Sequence, residues 1–224
     1  WNALKEVNAP VAAFWLQDWV GARKTSVGSQ LWWNWELDDS RYPGWDAFRD
    51  ELDAVGARIL SYVNPFLVDV SEREQSSQRN LFQEAQAAGY LVTKADGSPY
   101  LVQNTSFSAG MVDLTNPEAW CWLKTVLREQ VLGAGASGWM ADFGEALPFD
   151  AKLHDGSDAA QFHNEYPEAW ARLNREVIQE AGRDGDAVFF TRSGFTRSPG
   201  HSTLFWSGDQ LTSWSKEDGI RSAV

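Results

Sequence analysis

Two short strings carry carboxylates where they could do chemistry: Trp139-Met140-Ala141-Asp142-Phe143-Gly144-Glu145 and Trp206-Ser207-Gly208-Asp209-Gln210. In each, an aspartate follows an apolar, strand-like run, the point at which a parallel strand ends and its next side chain emerges into a cleft. Two carboxyl groups facing each other across a sugar are the minimal equipment for hydrolysing a glycosidic bond. One attacks the anomeric carbon and the other exchanges a proton with the leaving oxygen. Asp142 follows Gly138-Trp139-Met140-Ala141, a run too apolar for a surface. A carboxylate there loses hydration and needs a partner to stay ionised; Arg192, at the end of the next predicted strand, is the candidate. Asp209 follows Gly208, whose missing Cβ lets the backbone approach a ligand. Glu145, one turn beyond Asp142, is the competing carboxylate. The bland alternative for any strand-end aspartate is a helix cap or an ion-pair partner.

Such side chains need a frame. Strand-like runs are predicted over Ala12–Trp19, Arg58–Pro65, Ser137–Asp142, Ala187–Thr191 and Leu204–Trp206, alternating with amphipathic stretches Trp45–Gly56, Glu72–Ala88, Pro117–Leu132 and Pro167–Ala181. Asn116 before Pro117 reads as a helix start. Gly56, Gly89, Gly133 and Gly182 read as helix ends. Near-continuous apolar strands such as Ala187-Val188-Phe189-Phe190 are buried on both faces, as in a parallel sheet. Tyr90–Thr93 and Tyr100–Val102, around Ala95-Asp96-Gly97-Ser98, read as an inserted hairpin. Gln17-Asp18, Asp142 and Arg192 then fall at the ends of successive strands, the pattern of a barrel enzyme. Five strands do not close a barrel of eight, so the fold is an open α/β sheet or a barrel segment, and the termini favour the segment.

Composition narrows the classes. Among 224 residues, 31 acidic against 19 basic side chains give a formal charge of −12, which repels a phosphate backbone and argues against nucleic acid. No apolar run reaches membrane-spanning length, so no membrane partner is expected, and no signal peptide is visible. The first residue is Trp1, which suggests a chain cut from something longer. Cys121 stands alone, so neither an internal disulfide nor a thiolate metal site is expected, and a reducing cytoplasm is the default. His154 and His163 lack companions at ligand spacing, and no metal or other cofactor is expected. Asp69–Arg79 reads as a solvated, mixed-charge helix face, and Cys121, between Trp120 and Trp122, as a core residue. His201 is expected in a loop. Thirteen tryptophans stand out; Trp32, Trp33 and Trp35, after a Gly/Ser-containing loop, are candidate platforms for sugar rings.

Several segments resemble glycoside hydrolase family 31, the retaining α-glucosidase family, and within it the bacterial sulfoquinovosidases. They are Trp15-Leu16-Gln17-Asp18-Trp19-Val20-Gly21, Trp33-Asn34-Trp35, Tyr62-Val63-Asn64-Pro65, Val112-Asp113-Leu114-Thr115-Asn116-Pro117, Gly138 to Glu145, and Trp206 to Gln210. They occur in family order and cover nearly the whole chain. The resemblance implies an α/β fold, a segment of a TIM (β/α)8 barrel holding about the second to sixth strands. Residues 1–224 would then be a catalytic barrel fragment of a larger glycoside hydrolase. It implies Asp142 as nucleophile, Asp209 as general acid/base, Gln17 and Arg192 on sugar hydroxyls, and Trp33 beside a sulfonate. One departure stands out: where the sulfoquinovosidases carry an arginine three residues before this tryptophan, the chain has Gln30, which replaces a charged fork by one neutral donor. Arg23 or Lys24 could reach back instead.

The function expected is therefore a retaining α-glycoside hydrolase acting on small α-sulfoquinovosides. A plain α-glucosidase is the alternative within the class, and a non-catalytic carbohydrate-binding protein the alternative outside it. An isolated segment would expose open strand edges and could be inert alone.

Overall fold

The computed structural model describes residues 1–73 and 79–223. In chain order the described strands are β1 (Ala13–Trp15), β2 (Ala22–Thr25), β3 (Gly28–Leu31), β4 (Arg58–Val63), β5 (Phe66–Leu67), β6 (Leu101–Gln103), β7 (Ser108–Met111), β8 (Gly138–Ala141), β9 (Val188–Thr191) and β10 (Leu204–Phe205). One sheet runs β1-β4-β8-β9-β10, with every neighbouring pair parallel. Each crossover adds its strand on the same side of the last. A doubly wound sheet reverses at a switch point, whereas an arc of a (β/α)8 barrel does not. The arc is a barrel segment, and its outer strands carry exposed Trp15, Leu204 and Phe205.

β8 lies at the centre of the arc and is buried at all four positions. Its register is fixed from the helix side. The Trp139 indole donates to Asn174 Oδ1 at 2.6 Å and stacks against Phe189. Asn174 belongs to the helix Tyr166–Glu180, which turns Trp170, Leu173, Val177 and Ile178 into the core. Spacings of three and four build that apolar face, and the one polar contact stops β8 from sliding.

The helix Pro117–Val126 starts as predicted, with Asn116 accepting from the Glu118 and Ala119 amides. It buries Ala119, Leu123 and Val126, a stripe that leaves Cys121 on the opposite face, so this thiol is exposed and is not a core residue. Residues Leu127–Leu132 continue as a π-helix. That widened turn brings the Glu129 carbonyl to 1.9 Å from where a Cβ of residue 133 would sit. Gly133 is therefore required by closeness, at helical φ; the left-handed turn falls on Gly135 (φ +90°). Gly56, Gly89 and Gly182 do end their segments at positive φ.

Other expectations needed correction. Of the stretch predicted from Glu72, residues 74–78 lie outside the described residues, and the described helix runs Leu81–Ala88 behind an Asn80 cap. The mixed-charge face predicted over Asp69–Arg79 opens as a turn, with Asp69 accepting from the Ser71 amide at 2.9 Å; residues 74–78 of it lie outside the described residues. The hairpin turn closes, with Lys94 N–H donating to the Ser98 carbonyl, but β6 pairs with β7, which pairs with β5. The Gly/Ser-containing loop is itself a hairpin, β2 against β3, with Arg23 directly opposite Gln30. Its mixed polar pattern hid the strand period, because neither face is deeply buried.

Gly138 opens β8 against its neighbour so closely that an added Cβ would lie 2.1 Å from the Val188 carbonyl oxygen. Gly138→Ala is expected to cost at least ~1–3 kcal/mol, measured as a lowered denaturation midpoint.

Candidate active site

Asp142 sits one residue past β8, its amide donating to the Val63 carbonyl at 2.9 Å, so the ladder fixes its backbone. The residue is 5% exposed. Tyr62, on neighbouring β4, donates its hydroxyl to Asp142 Oδ2 at 2.6 Å. Asn64 Nδ2 donates to the Tyr62 oxygen at 3.2 Å, while Asn64 Oδ1 accepts from the Phe66 amide. Because Asn64 supplies a donor, the Tyr62 proton is directed at Asp142. The other carboxylate oxygen, Oδ1, has no hydrogen bond among the described residues; Arg192 Nε stands 3.4 Å from it.

Arg192 is shared. Its Nε donates to Glu145 Oε1 at 2.9 Å, its Nη2 contacts the same oxygen at 2.5 Å, and its plane lies over the Phe143 ring at 3.9 Å. The chain turns sharply after Asp142: Phe143 adopts φ +58° and Gly144 φ +112°, held by Ser193 Oγ donating to the Phe143 carbonyl at 2.6 Å. A positive φ at phenylalanine is unfavourable. It sets Asp142 and Glu145 on different contacts of one guanidinium. Burial pushes the Asp142 carboxyl above its ordinary range, and the Tyr62 hydrogen bond and the Arg192 charge pull it back. Burial likewise drives the Tyr62 phenol well up, so it stays a donor.

A cleft of about 700 Å³ opens over these groups, and Gln17, Gln30, Trp33, Asp142, Arg192 and Asp209 all border it. Asp209 lies beyond β10, exposed, after Gly208 at φ +85°. Gln17 is exposed in the turn after β1. Trp33 is largely enclosed by Phe66, Phe107 and Phe143 and meets the cleft from within that aromatic box. The tryptophan trio divides: Trp35 is fully buried and cannot be a sugar platform, and Trp32 lies under the Arg23 guanidinium. Glu145 borders a second cavity of about 530 Å³ with His163 and Trp206 and does not compete with Asp142 in the first. His163 meets the Leu147 carbonyl at 2.6 Å and stacks on Phe149. His201 lies in a turn before β10.

Sequence reasoning missed Tyr62 as a site residue. The signal was present, because Tyr62 and Asn64 are two apart in the predicted run Arg58–Pro65, where alternate residues share a face. It also left Asp18 without a partner. Arg41 Nη2 reaches Asp18 Oδ2 at 2.6 Å and the Tyr42 hydroxyl donates to Oδ1. Burial raises the Asp18 carboxyl, but Tyr42 and Arg41 together hold it below its ordinary value, and Tyr42 rises to about 12 through burial and its bond to Asp18.

A model of the Glycosyl hydrolases family 31 TIM-barrel domain matches residues 1–219. The chain belongs to glycosyl hydrolase family 31. Among its family 31 relatives, the sulfoquinovosidase of Escherichia coli (strain K12) is 40% identical over 223 residues, covering 100% of this chain and 32% of that protein. The sulfoquinovosidase of Agrobacterium fabrum is 41% identical, covering 99% of this chain and 32% of that protein. A solved family 31 sulfoquinovosidase from E. rectale, in complex with the aza-sugar inhibitor IFGSQ, superposes with a TM-score of 0.90 at 43% identity, over 97% of this chain and 32% of that one. The chain thus spans about a third of the length of these family 31 relatives.

Two outcomes follow for this family 31 segment. In the folded chain Asp142 binds its proton more tightly than when unfolded, so its ionised form costs stability above the folded pKa. Asp142→Asn is expected to raise stability at neutral pH, the gain shrinking as pH falls towards the ordinary value of 3.8; denaturation midpoints across pH read this directly. Tyr62→Phe removes a bond that favours the carboxylate, and is expected to raise the Asp142 pKa further, seen by carboxyl-carbon NMR titration.

Proposed function

We propose that this chain is the catalytic barrel segment of a larger retaining α-glycoside hydrolase that cleaves α-sulfoquinovosides. The observation that carries the proposal is the shared cleft: a buried, Arg192-paired Asp142 and an exposed Asp209 border one cavity with polar side chains suited to sugar hydroxyls. A retaining enzyme needs one carboxylate that stays ionised in a desolvated place and one carboxyl that can exchange protons. Asp142 fits the first role. Tyr62 anchors one oxygen, and the other, which has no hydrogen bond among the described residues, faces Arg192 at 3.4 Å. It attacks the anomeric carbon while protonated Asp209 protonates the leaving oxygen. Asp209 then takes a proton from water, which releases the sugar with its configuration kept. Arg192 holds the nucleophile's charge, and with Gln17, Gln30 and Trp33 it forms the wall that receives the sugar.

The names of the relatives and the identity across the whole chain support a sulfonated sugar. Gln30 supports the runner-up, a plain α-glucosidase, since a neutral amide suits a neutral hydroxymethyl group. The partner proposed is a small glycoside, with neither nucleic acid nor membrane. No described helix is long and apolar enough to cross a membrane, and the single free thiol suits a reducing cytoplasm.

In the full-length protein, 4-nitrophenyl α-sulfoquinovoside is expected to be cleaved with retention, read by NMR of the first-formed anomer. Asp142→Asn is expected to abolish turnover without loss of fold. Asp209→Asn is expected to lose roughly 10²–10⁴-fold on an alkyl glycoside, which needs leaving-group protonation, and less on the nitrophenyl glycoside. A first-formed β anomer, or turnover by Asp142→Asn at the parent rate, refutes the double displacement.

A further inference from the structure

The hairpin that carries Gln30 also carries Arg23, directly across the ladder, so both side chains leave the same face. Gln30 is occupied. Its amide donates to Thr105 Oγ1, and its carbonyl accepts from Ser106 Oγ at 2.5 Å. These contacts tie the hairpin to the tight turn Asn104–Phe107, closed by Asn104 N–H donating to the Phe107 carbonyl. Through this clamp Asn104 and Phe107 become part of the cleft wall, and Gln30 has at most one amide hydrogen left for a ligand.

Arg23 is in the opposite condition. Its guanidinium carbon lies 3.9 Å from the Phe107 ring centre and 4.4 Å from that of Trp32. It makes no ion pair or hydrogen bond among the described residues, and Nη2 is buried without a partner. Nearby Arg73 differs, being neutralised by Asp38 at 2.6 Å. A half-buried guanidinium is ordinarily paired, because desolvating a cation is costly. Two ring faces recover part of that cost, but they do not cancel the charge. Arg23 does not itself border the cleft, but Ala22, Gln30 and Phe107 beside it do, so its uncancelled charge acts on the cleft through that wall.

Resting on the glycosidase reading above, we infer that Arg23 is the specificity-determining cation of this cleft, selecting an anionic sulfonate on the bound sugar where Gln30 offers no charge. Gln30 supports it by pinning Phe107, one of the two rings on which the guanidinium lies. The preference for a charged sugar thus comes from the neighbouring strand of the hairpin.

The test compares kcat/KM of the full-length protein on 4-nitrophenyl α-sulfoquinovoside and 4-nitrophenyl α-glucoside, for the parent, Arg23→Met and Arg23→Lys. Methionine keeps an apolar stem between the rings and removes the charge. The sulfonated-to-neutral ratio is expected to fall about tenfold or more in Arg23→Met, through KM, in line with losing a nearby unpaired charge. It should stay near the parent value in Arg23→Lys. Raising salt from about 20 to about 500 mM should lower the parent ratio and leave the Arg23→Met ratio flat, because screening acts only on charge. Equal losses on both substrates would reveal a packing role and overturn the assignment, as would an unchanged ratio. If Arg23→Met does not fold, the salt dependence of the parent decides: a ratio insensitive to salt overturns the inference. A parent that hydrolyses neither glycoside refutes the glycosidase reading itself, a different failure from an unchanged ratio, which refutes only the role of Arg23.

Discussion

The structure depends on holding one carboxylate, that of Asp142, out of water without neutralising it. Its backbone is fixed by the β4–β8 ladder, its Oδ2 by the Tyr62 hydroxyl, and its charge by Arg192. The first two contacts come from β4 and the third from the residue after β9. Burial pushes a carboxyl group towards its neutral form, while a nearby cation and a donated hydrogen bond push it back. What is observed lies between: a strong hydrogen bond on one oxygen and a looser approach of the guanidinium on the other. Glu145 is what keeps that approach loose, since Arg192 makes its closer contacts there.

The surrounding packing serves that arrangement. β8 must be both buried and unable to slide, because a shift of one residue would turn Asp142 to the other face of the sheet. Its apolar side chains secure burial, and the Trp139–Asn174 contact secures register at little enthalpic loss, since both polar groups are satisfied. Directly after Asp142 the backbone is driven into the left-handed region at Phe143. That strain is tolerated because the Phe143 ring is packed between Trp33, Phe66 and Arg192. The same ring therefore supports the turn and forms part of the cleft wall.

Most of the frame was legible in the sequence because it obeys short-range rules. Apolar runs marked all five strands of the arc, and Asn116-Pro117 marked a helix start that the structure repeats. Strand order was not legible from periodicity: alternation of strand and helix fits an open sheet as well as a barrel, and only the one-sided addition of strands separates them. The errors have physical sources. The β2–β3 hairpin buries neither face deeply and so wrote no strand period. Helix Leu81–Ala88 starts behind Asn80, a residue that caps as readily as it continues a polar run. Cys121 looked apolar by its neighbours, whereas helical spacing assigns the core to Ala119, Leu123 and Val126. At the site, the aspartates and Arg192 stood out because charges after apolar runs are conspicuous. Tyr62 did not, because a tyrosine inside an apolar strand reads as core until its hydroxyl's partner is known.

The charges around the cleft make a final point about recognition. The chain carries a formal charge of −12, yet the guanidiniums at the cleft are not equivalent. Arg41 is bound to Asp18 and Arg192 is divided between two carboxylates, so neither presents a free charge. Of these three, Arg23 alone has no ion pair among the described residues, and it lies on a hairpin that writes no hydrophobic pattern and is anchored to the Asn104–Phe107 turn through Gln30. A polar hairpin of this kind can change its side chains without disturbing the core, whereas the residues that hold Asp142 cannot. In the proposed reading, chemistry and selectivity are built on different parts: the carboxylate proposed to react on buried strands, and the charge proposed to discriminate on a polar ribbon laid over them.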